Sequence, residues 1–181
     1  VAIGDNALGA QTTASFNVGI GSDAGLAITT GDRNVAIGYQ ALKTNTVGDR
    51  SVAVGYSALY TQNPASNADM GNVAIGNLSM YSTTTGTNNT GVGFNSMFAN
   101  TTGANNTAVG ALAGDAITTG LGNVAVGYRS LSSNTTAASN TAIGVDALTS
   151  NTTGTSNTAV GRDTLNQQTT ASYNTALGHQ A

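Results

Sequence analysis

The chain has 181 residues of which 7% are charged, and its eight aspartates outweigh five lysines and arginines to leave a net charge of −3. So few cations exclude nucleic acid as a partner, because phosphates need a clustered basic face, and the lack of cysteine excludes disulfides and thiolate chemistry. No apolar run approaches the ~20 residues of a membrane-spanning helix, so no membrane insertion by this segment is expected.

One motif recurs along the whole chain. It is clearest in Asn34-Val35-Ala36-Ile37-Gly38-Tyr39-Gln40-Ala41-Leu42, and its glycine returns at Gly4, Gly21, Gly38, Gly55, Gly76, Gly93, Gly110, Gly127, Gly144, Gly161 and Gly178. Successive marker glycines are 17 residues apart at every step except Gly55 to Gly76, where the step is 21. A fixed short period describes a stack in which each unit touches chiefly its neighbours. Residues 1–181 therefore read as a single array of eleven coils with one four-residue insertion. Because Val1 begins inside one repeat and Ala181 ends inside another, the array is expected to be an excerpt of a longer fibre.

Taken in order, each coil starts with a triplet. Three residues before the glycine stands Val or Thr, two before it Ala or Gly, and one before it an aliphatic residue: Ile3, Ile20, Ile37, Val54, Ile75, Val92, Val109, Val126, Ile143, Val160, Leu177. Period-two alternation with β-branched residues predicts a short strand, with the aliphatic residue in the core and the chain turning at the glycine. Three and four residues after the glycine comes a small-apolar pair such as Ala41-Leu42, Ser79-Met80 or Ala147-Leu148, expected as a second short strand or bend forming the opposite wall. The remainder is turn chemistry, as in Asn100-Thr101-Thr102-Gly103. The fold class is all-β, a parallel β-solenoid whose ten steps at a strand spacing of ~4.8 Å make a rod roughly 50 Å long.

Two regularities refine this picture. Four residues before the glycine, Asn recurs at Asn17, Asn34, Asn72, Asn89, Asn106, Asn123, Asn140, Asn157 and Asn174, with Ser51 the exception, which predicts an amide ladder along the rod. Glycosylation-like tripeptides such as Asn134-Thr135-Thr136 are by-products of the repeat. Gly25 and Gly114 stand where a buried Leu or Met is expected, and the same two coils carry Ile28 and Ile117 three residues later. An empty leucine site costs ~2–5 kcal/mol, so the two isoleucines are expected to fill it.

The unbroken Ala/Gly row suggests that another backbone lies against it, and a coil this small encloses little apolar volume, so a parallel homotrimer is expected. The motif Asn-Val-Ala-Ile-Gly, followed by two variable residues and a small one, as in Asn34 to Ala41 and Asn72 to Ser79, resembles the head repeat of YadA-like trimeric autotransporter adhesins along the whole chain. The resemblance implies three chains forming a left-handed parallel β-roll, displayed on a bacterial cell surface for attachment. The family's coils are usually shorter than these, and the Thr-Thr-Gly-rich turn is also similar to repeats of phage tail fibres. An extracellular place, on a bacterium or in a virion tail fibre, follows from either resemblance.

Catalysis finds no inventory here: His179 is the one histidine, and there is no glutamate or cysteine, so no enzyme, metal or cofactor is expected. Asp146 and Asp163 share one position in adjacent coils, with Arg129 below them, which reads as a surface charge ladder before a paired-carboxylate glycosidase. The stronger candidate surrounds the insertion. Five residues after the marker, successive coils carry Tyr60, Tyr81 and Phe98, and the segment Thr61 to Gly71 adds Asn63, Pro64 and Asp69, with the extra length bulging between about Gln62 and Met70. Aromatic residues beside a protruding loop suit a host-surface glycan or protein receptor. The alternatives are aromatic stacking in a phage tail-fibre shaft, or in a purely structural spacer without a ligand of its own, and ice binding, which Thr-Thr pairs placed in glycine-containing turns do not favour.

Overall fold

In the computed structural model, which describes residues 1–181, a strand forms at each of the eleven triplets and no helix forms anywhere. In chain order the strands are β1 (Ala2–Ile3), β2 (Val18–Ile20), β3 (Val35–Ile37), β4 (Gly48–Asp49), β5 (Val52–Val54), β6 (Ala68–Asp69), β7 (Val73–Ile75), β8 (Thr90–Val92), β9 (Thr107–Val109), β10 (Val124–Val126), β11 (Thr141–Ile143), β12 (Thr158–Val160) and β13 (Thr175–Leu177). All but β4 and β6 line up in sequence order in one eleven-stranded parallel sheet, a β-solenoid of about ten turns. Register follows the repeat, pairing Ala36 with Ala53 and Ala125 with Ala142, and it survives the insertion because Ala53 pairs with Ala74. The strands β4 and β6 form a small second parallel sheet at the insertion.

A three-residue strand turns one side chain inward, and here it is the middle one. Ala36, Ala53, Ala74, Ala108, Ala125, Ala142 and Ala159 are fully buried, whereas Ile75, Val109 and Ile143 remain 42%, 38% and 40% exposed. The aliphatic row expected in the core therefore faces outward. The interior is too narrow for the larger residue: a Cβ on Gly19 would lie 2.7 Å from Leu8 Cγ, and one on Gly91 would lie 2.8 Å from Met80 Cγ. The Leu/Met row of the preceding coil thus explains the small row without a second chain.

The opposite wall is a turn, not a strand. Twenty-seven non-glycine residues have φ between 47° and 62°, at positions two and four after the marker and five before it. A left-handed residue breaks strand geometry and costs ~1–2 kcal/mol, so these positions need support. It comes from backbone bonds between coils, among them Leu42 N–H to the Ala58 carbonyl at 2.9 Å and Met97 N–H to the Ala113 carbonyl at 3.0 Å. In the two leucine-lacking coils, Ile28 and Ile117 are buried to 0% and 1%, and a Cβ on Gly25 or Gly114 would meet the isoleucine Cδ1 at 3.0 or 2.8 Å. The isoleucines occupy the leucine space, as the sequence predicts.

The predicted amide ladder is present and buried. Each Asn side-chain oxygen accepts the backbone N–H of its successor, as Asn89 Oδ1 does from Asn106 at 2.9 Å, while its Nδ2 donates to a turn carbonyl of the next coil, Gly103 at 2.7 Å in this case. At Ser51 the side chain is too short to continue. Gln62 bridges the gap: its Nε2 donates to Ser51 Oγ at 2.9 Å and its Oε1 accepts from Asn72 Nδ2 at 2.9 Å, with both residues fully buried.

The marker glycines form a spine. Their φ values run from 121° to 137°, and a Cβ on Gly38 would stand 2.5 Å from the carbonyl oxygen of Gly55 in the next coil. No side chain of any kind fits there. Gly93→Ala, which would also collide with Gly110, is expected to destabilise the chain by several kcal/mol, on the order of the large core defects. Gly122→Ala, at φ 63° with no atom within 4 Å of the added Cβ, should cost only ~1–2 kcal/mol. Chemical denaturation of the two variants checks the contrast, and equal losses would refute the role given to the spine.

Candidate functional site

The aromatic residues singled out by the sequence do come together. Tyr60 and Tyr81 stack at 5.1 Å between ring centroids and 12° between planes, and Tyr81 and Phe98 at 5.4 Å and 9°. Parallel in-register coils place identical positions above one another, so face-to-face stacking follows directly from the repeat. Lys43 Nζ lies 6.0 Å from the Tyr60 centroid. Ring faces are the surfaces on which a sugar ring or a guanidinium packs, and within this stack Tyr81 is covered on both faces and Tyr60 and Phe98 on one each. All three rings are half-buried.

The insertion is divided. Asn63 lies 17 residues beyond Thr46, whose N–H and Oγ1 its Oδ1 accepts at 3.1 and 2.7 Å; Ala68 pairs with Gly48 at a separation of 20; Val73 pairs with Val52 at 21. Three extra residues thus lie between Asn63 and Ala68, and the fourth lies between Asp69 and Val73. Ala65, Ser66 and Asn67 are exposed at the tip. Pro64, Gln62 and Met70, all expected in the bulge, are buried instead. Pro64 Cδ and Met70 Cγ sit 3.1 and 3.0 Å from where a Gly48 Cβ would be, so an apolar cap covers that glycine. Asp69 is exposed and ion-paired with Arg50. No side-chain hydrogen bond or ring contact joins the aromatic stack to Asn63 or Asp69.

A second aromatic row escaped sequence reading. One residue after the marker stand Tyr39, Tyr56, Phe94 and Tyr128, exposed by 47%, 50%, 52% and 46%, with Tyr39 and Tyr56 stacked at 5.5 Å. The signal was an aromatic residue at a fixed offset in four coils, diluted by Ser22, Asn77, Ala111 and Val145 at the same position.

Charged side chains pair, mostly across coils. Asp23 Oδ2 and Lys43 Nζ are 3.1 Å apart, which holds the Asp23 carboxyl below and the Lys43 ammonium above their ordinary values. Arg129 Nε lies 3.1 Å from Asp146 Oδ1, and Arg162 Nε 3.2 Å from Asp163 Oδ2, so the ladder expected from Arg129 and Asp146 forms. Asp115, next in the row after Phe98, has an out-of-solvent Oδ1 without a hydrogen-bond partner, and burial pushes its carboxyl above the ordinary value. His179 is exposed.

Removing Ala65, Ser66 and Asn67 should leave the midpoint of thermal unfolding almost unchanged, because only exposed turn residues are lost. Met70→Ala should cost ~2–5 kcal/mol. Circular-dichroism melts compare them, and a neutral Met70→Ala would remove the cap. Asp115→Asn should stabilise the chain at pH 7, because a raised carboxyl pKa means that the folded state resists ionisation. That gain should shrink as pH falls through the folded-state value and vanish below the unfolded one, near 3.8. A pH-independent difference would contradict it.

No protein-family model matches this chain, and no curated protein and no solved structure is significantly similar to it.

Proposed function

We propose that this chain is a non-enzymatic segment of an extracellular attachment fibre, assembled as a parallel homotrimer of left-handed β-rolls, in a bacterial surface adhesin or a phage tail-fibre shaft. One observation carries the reading. Of the fourteen exposed large hydrophobic residues, ten flank the glycine spine: Ile3, Ile75, Val109, Ile143 and Leu177 just before it, and Tyr39, Tyr56, Phe94, Tyr128 and Val145 just after it. A contiguous apolar stripe along a rod of roughly 50 Å is far larger than the patches that monomeric proteins leave in water.

The occupant most compatible with such a stripe is the same stripe on further copies. Its row before the glycine is aliphatic in every coil, so parallel chains in matching register set each coil against its equivalents, and cyclic symmetry closes the assembly without leaving a sticky edge. The resemblance of the Asn-Val-Ala-Ile-Gly repeat to trimeric adhesin heads sets the number at three. In a trimer each shallow surface feature is presented three times, and avidity makes weak contacts useful. A second reading, a spacer without its own ligand, is favoured for the coils from Gly55 to Gly93 by the stack whose inner ring faces are already occupied.

Analytical ultracentrifugation should give the mass of three chains at micromolar concentration. Val109→Asp, which touches the stripe but not the Ala–Leu core, should weaken that assembly by ~3–5 kcal/mol, the scale for a buried unpaired charge. A folded wild-type monomer at those concentrations would overturn the assembly. For attachment, the purified fibre segment should compete with the intact fibre or virion for its target cells, and failure to compete at saturating concentration would favour the spacer.

A further inference from the structure

A furrow runs along the rod between two rows of side chains, those two residues after each marker and those five residues after the marker of the next coil. The offset of twenty residues is set by Asp23 and Lys43, 3.1 Å apart, and again by Thr149 Oγ1, which donates to the Arg129 carbonyl at 3.3 Å. What lies in the furrow changes along the chain. From Lys43 through Tyr60, Tyr81 and Phe98, long or aromatic side chains fill it; from Asp115 onward the same position holds Asp115, Ser132, Thr149 and Asn166, which are short and polar. Over the coils of Gly127 to Gly161 it opens into a cleft of about 270 Å³.

We propose that this cleft binds a linear, uncharged, hydroxyl-rich saccharide lying along the rod. Arg129, Asp146 and Asp163 line it on one side and Thr149, Asn166 and Gln167 on the other, with no hydrophobic residue among its lining, so it offers no anchor for an apolar peptide side chain or a lipid tail. Of its lining charges, Arg129 pairs with Asp146, and Asp163 pairs with Arg162 just outside the lining, so each charge beside the ligand already has a counter-charge. What remains is a dense set of donors and acceptors. Carboxylates accept, guanidinium donates, and amides and hydroxyls do both, which matches a ligand whose every hydroxyl both donates and accepts.

Asp146 Oδ1 is shielded from solvent 3.1 Å from Arg129 Nε without an aligned hydrogen bond, while the Arg129 side chain stays 46% exposed and presents its guanidinium donors to the cleft. The volume lies at the lower end of small-ligand sites, ~300 Å³, and suits a short stretch of a chain whose further units follow the furrow. Successive coils stack at ~4.8 Å, a spacing on the scale of one sugar ring, and over the coils of the cleft both banks stay polar. This inference rests on the attachment reading and names the chemistry of its ligand.

The test uses the whole chain in its native oligomeric state on an array carrying malto-, cello- and chito-oligosaccharides with sialylated oligosaccharides as charged controls, followed by calorimetry with each free oligosaccharide that binds. A neutral oligosaccharide is expected to bind. The Arg129→Gln/Asp146→Asn double variant should weaken it at least about tenfold, the scale of one or two lost charge-assisted bonds, and Ser150→Tyr, which fills the cleft without removing its charges, should abolish it. Asn keeps the left-handed backbone of position 146 acceptable, and unchanged melting of each variant confirms folding. Tyr81→Leu, in the filled part of the furrow, should bind like the wild type. Unaltered binding in both cleft variants, or preference for the sialylated probes, overturns the proposal. A silent array from a segment that still competes for target cells overturns the saccharide cleft alone; a silent array with no competition overturns the attachment reading with it.

Discussion

The close approach of backbones at the glycine spine is the constraint on which this architecture depends. The carbonyl of each marker glycine occupies the space where a side chain of the previous coil's glycine would begin, and the backbone there is held at φ values open to glycine alone. One corner of every coil is thereby fixed against the next. The in-register pairing of all eleven strands in the main sheet follows, and so does the fate of the insertion. A Cβ on Gly55 would still meet the Gly76 carbonyl oxygen at 2.5 Å, so the four extra residues are taken up at the other corners, three before β6 and one after it.

Fixing that corner makes the interior narrow, and narrowness couples positions. Ala or Gly on the strand is matched to Leu or Met across the coil, so neither can change without its partner. Where Leu becomes Gly25 or Gly114, Ile28 or Ile117 moves into the space; where Asn becomes Ser51, the longer amide of Gln62 reaches across. The last exchange is polar. A buried unsatisfied polar group costs ~1–3 kcal/mol; Asn72 keeps its bonds to Gly86 and Asn89, and Gln62, from the coil that carries the insertion, accepts the Nδ2 proton left over and ties Ser51 into the row.

The sequence discloses features that repeat at one fixed spacing. The period, the strand triplets, the amide ladder and the isoleucine compensation each depend on residues that recur every seventeen positions or sit in one coil. The inward face of the triplet was not legible, because alternation is symmetric and hydrophobicity alone points Ile and Val to the core; only the width of the interior, set by the Leu/Met row, decides for alanine. Gln62 and Pro64 looked like loop residues because their partners, Asn72 and Gly48, lie in neighbouring coils across an altered spacing. One bank of the polar cleft, Arg129, Asp146 and Asp163, was legible as a charge ladder, but the cleft was not, because its other bank is offset by twenty residues and an alignment of repeats places it in a different column.

The cluster around the insertion reads differently once its partners are known. Several of the residues in and beside it bridge the junction at which the extra residues disturb the coil-to-coil ladder. Tyr60 stacks on Tyr81 across that junction at 5.1 Å, Gln62 ties Ser51 to Asn72 across it, and Pro64 with Met70 covers Gly48 beneath it. A solenoid transmits order only between neighbours, so a weakened junction lowers the cooperativity of the whole rod unless it is reinforced locally. Stacked rings, a buried amide bridge and an apolar cap reinforce this one region together, whereas the Tyr39–Tyr56 and Tyr81–Phe98 steps carry a ring stack without the amide bridge or the cap. On this argument the aromatic residues near the loop are there because the loop is, and recognition is better sought where the furrow is left unfilled.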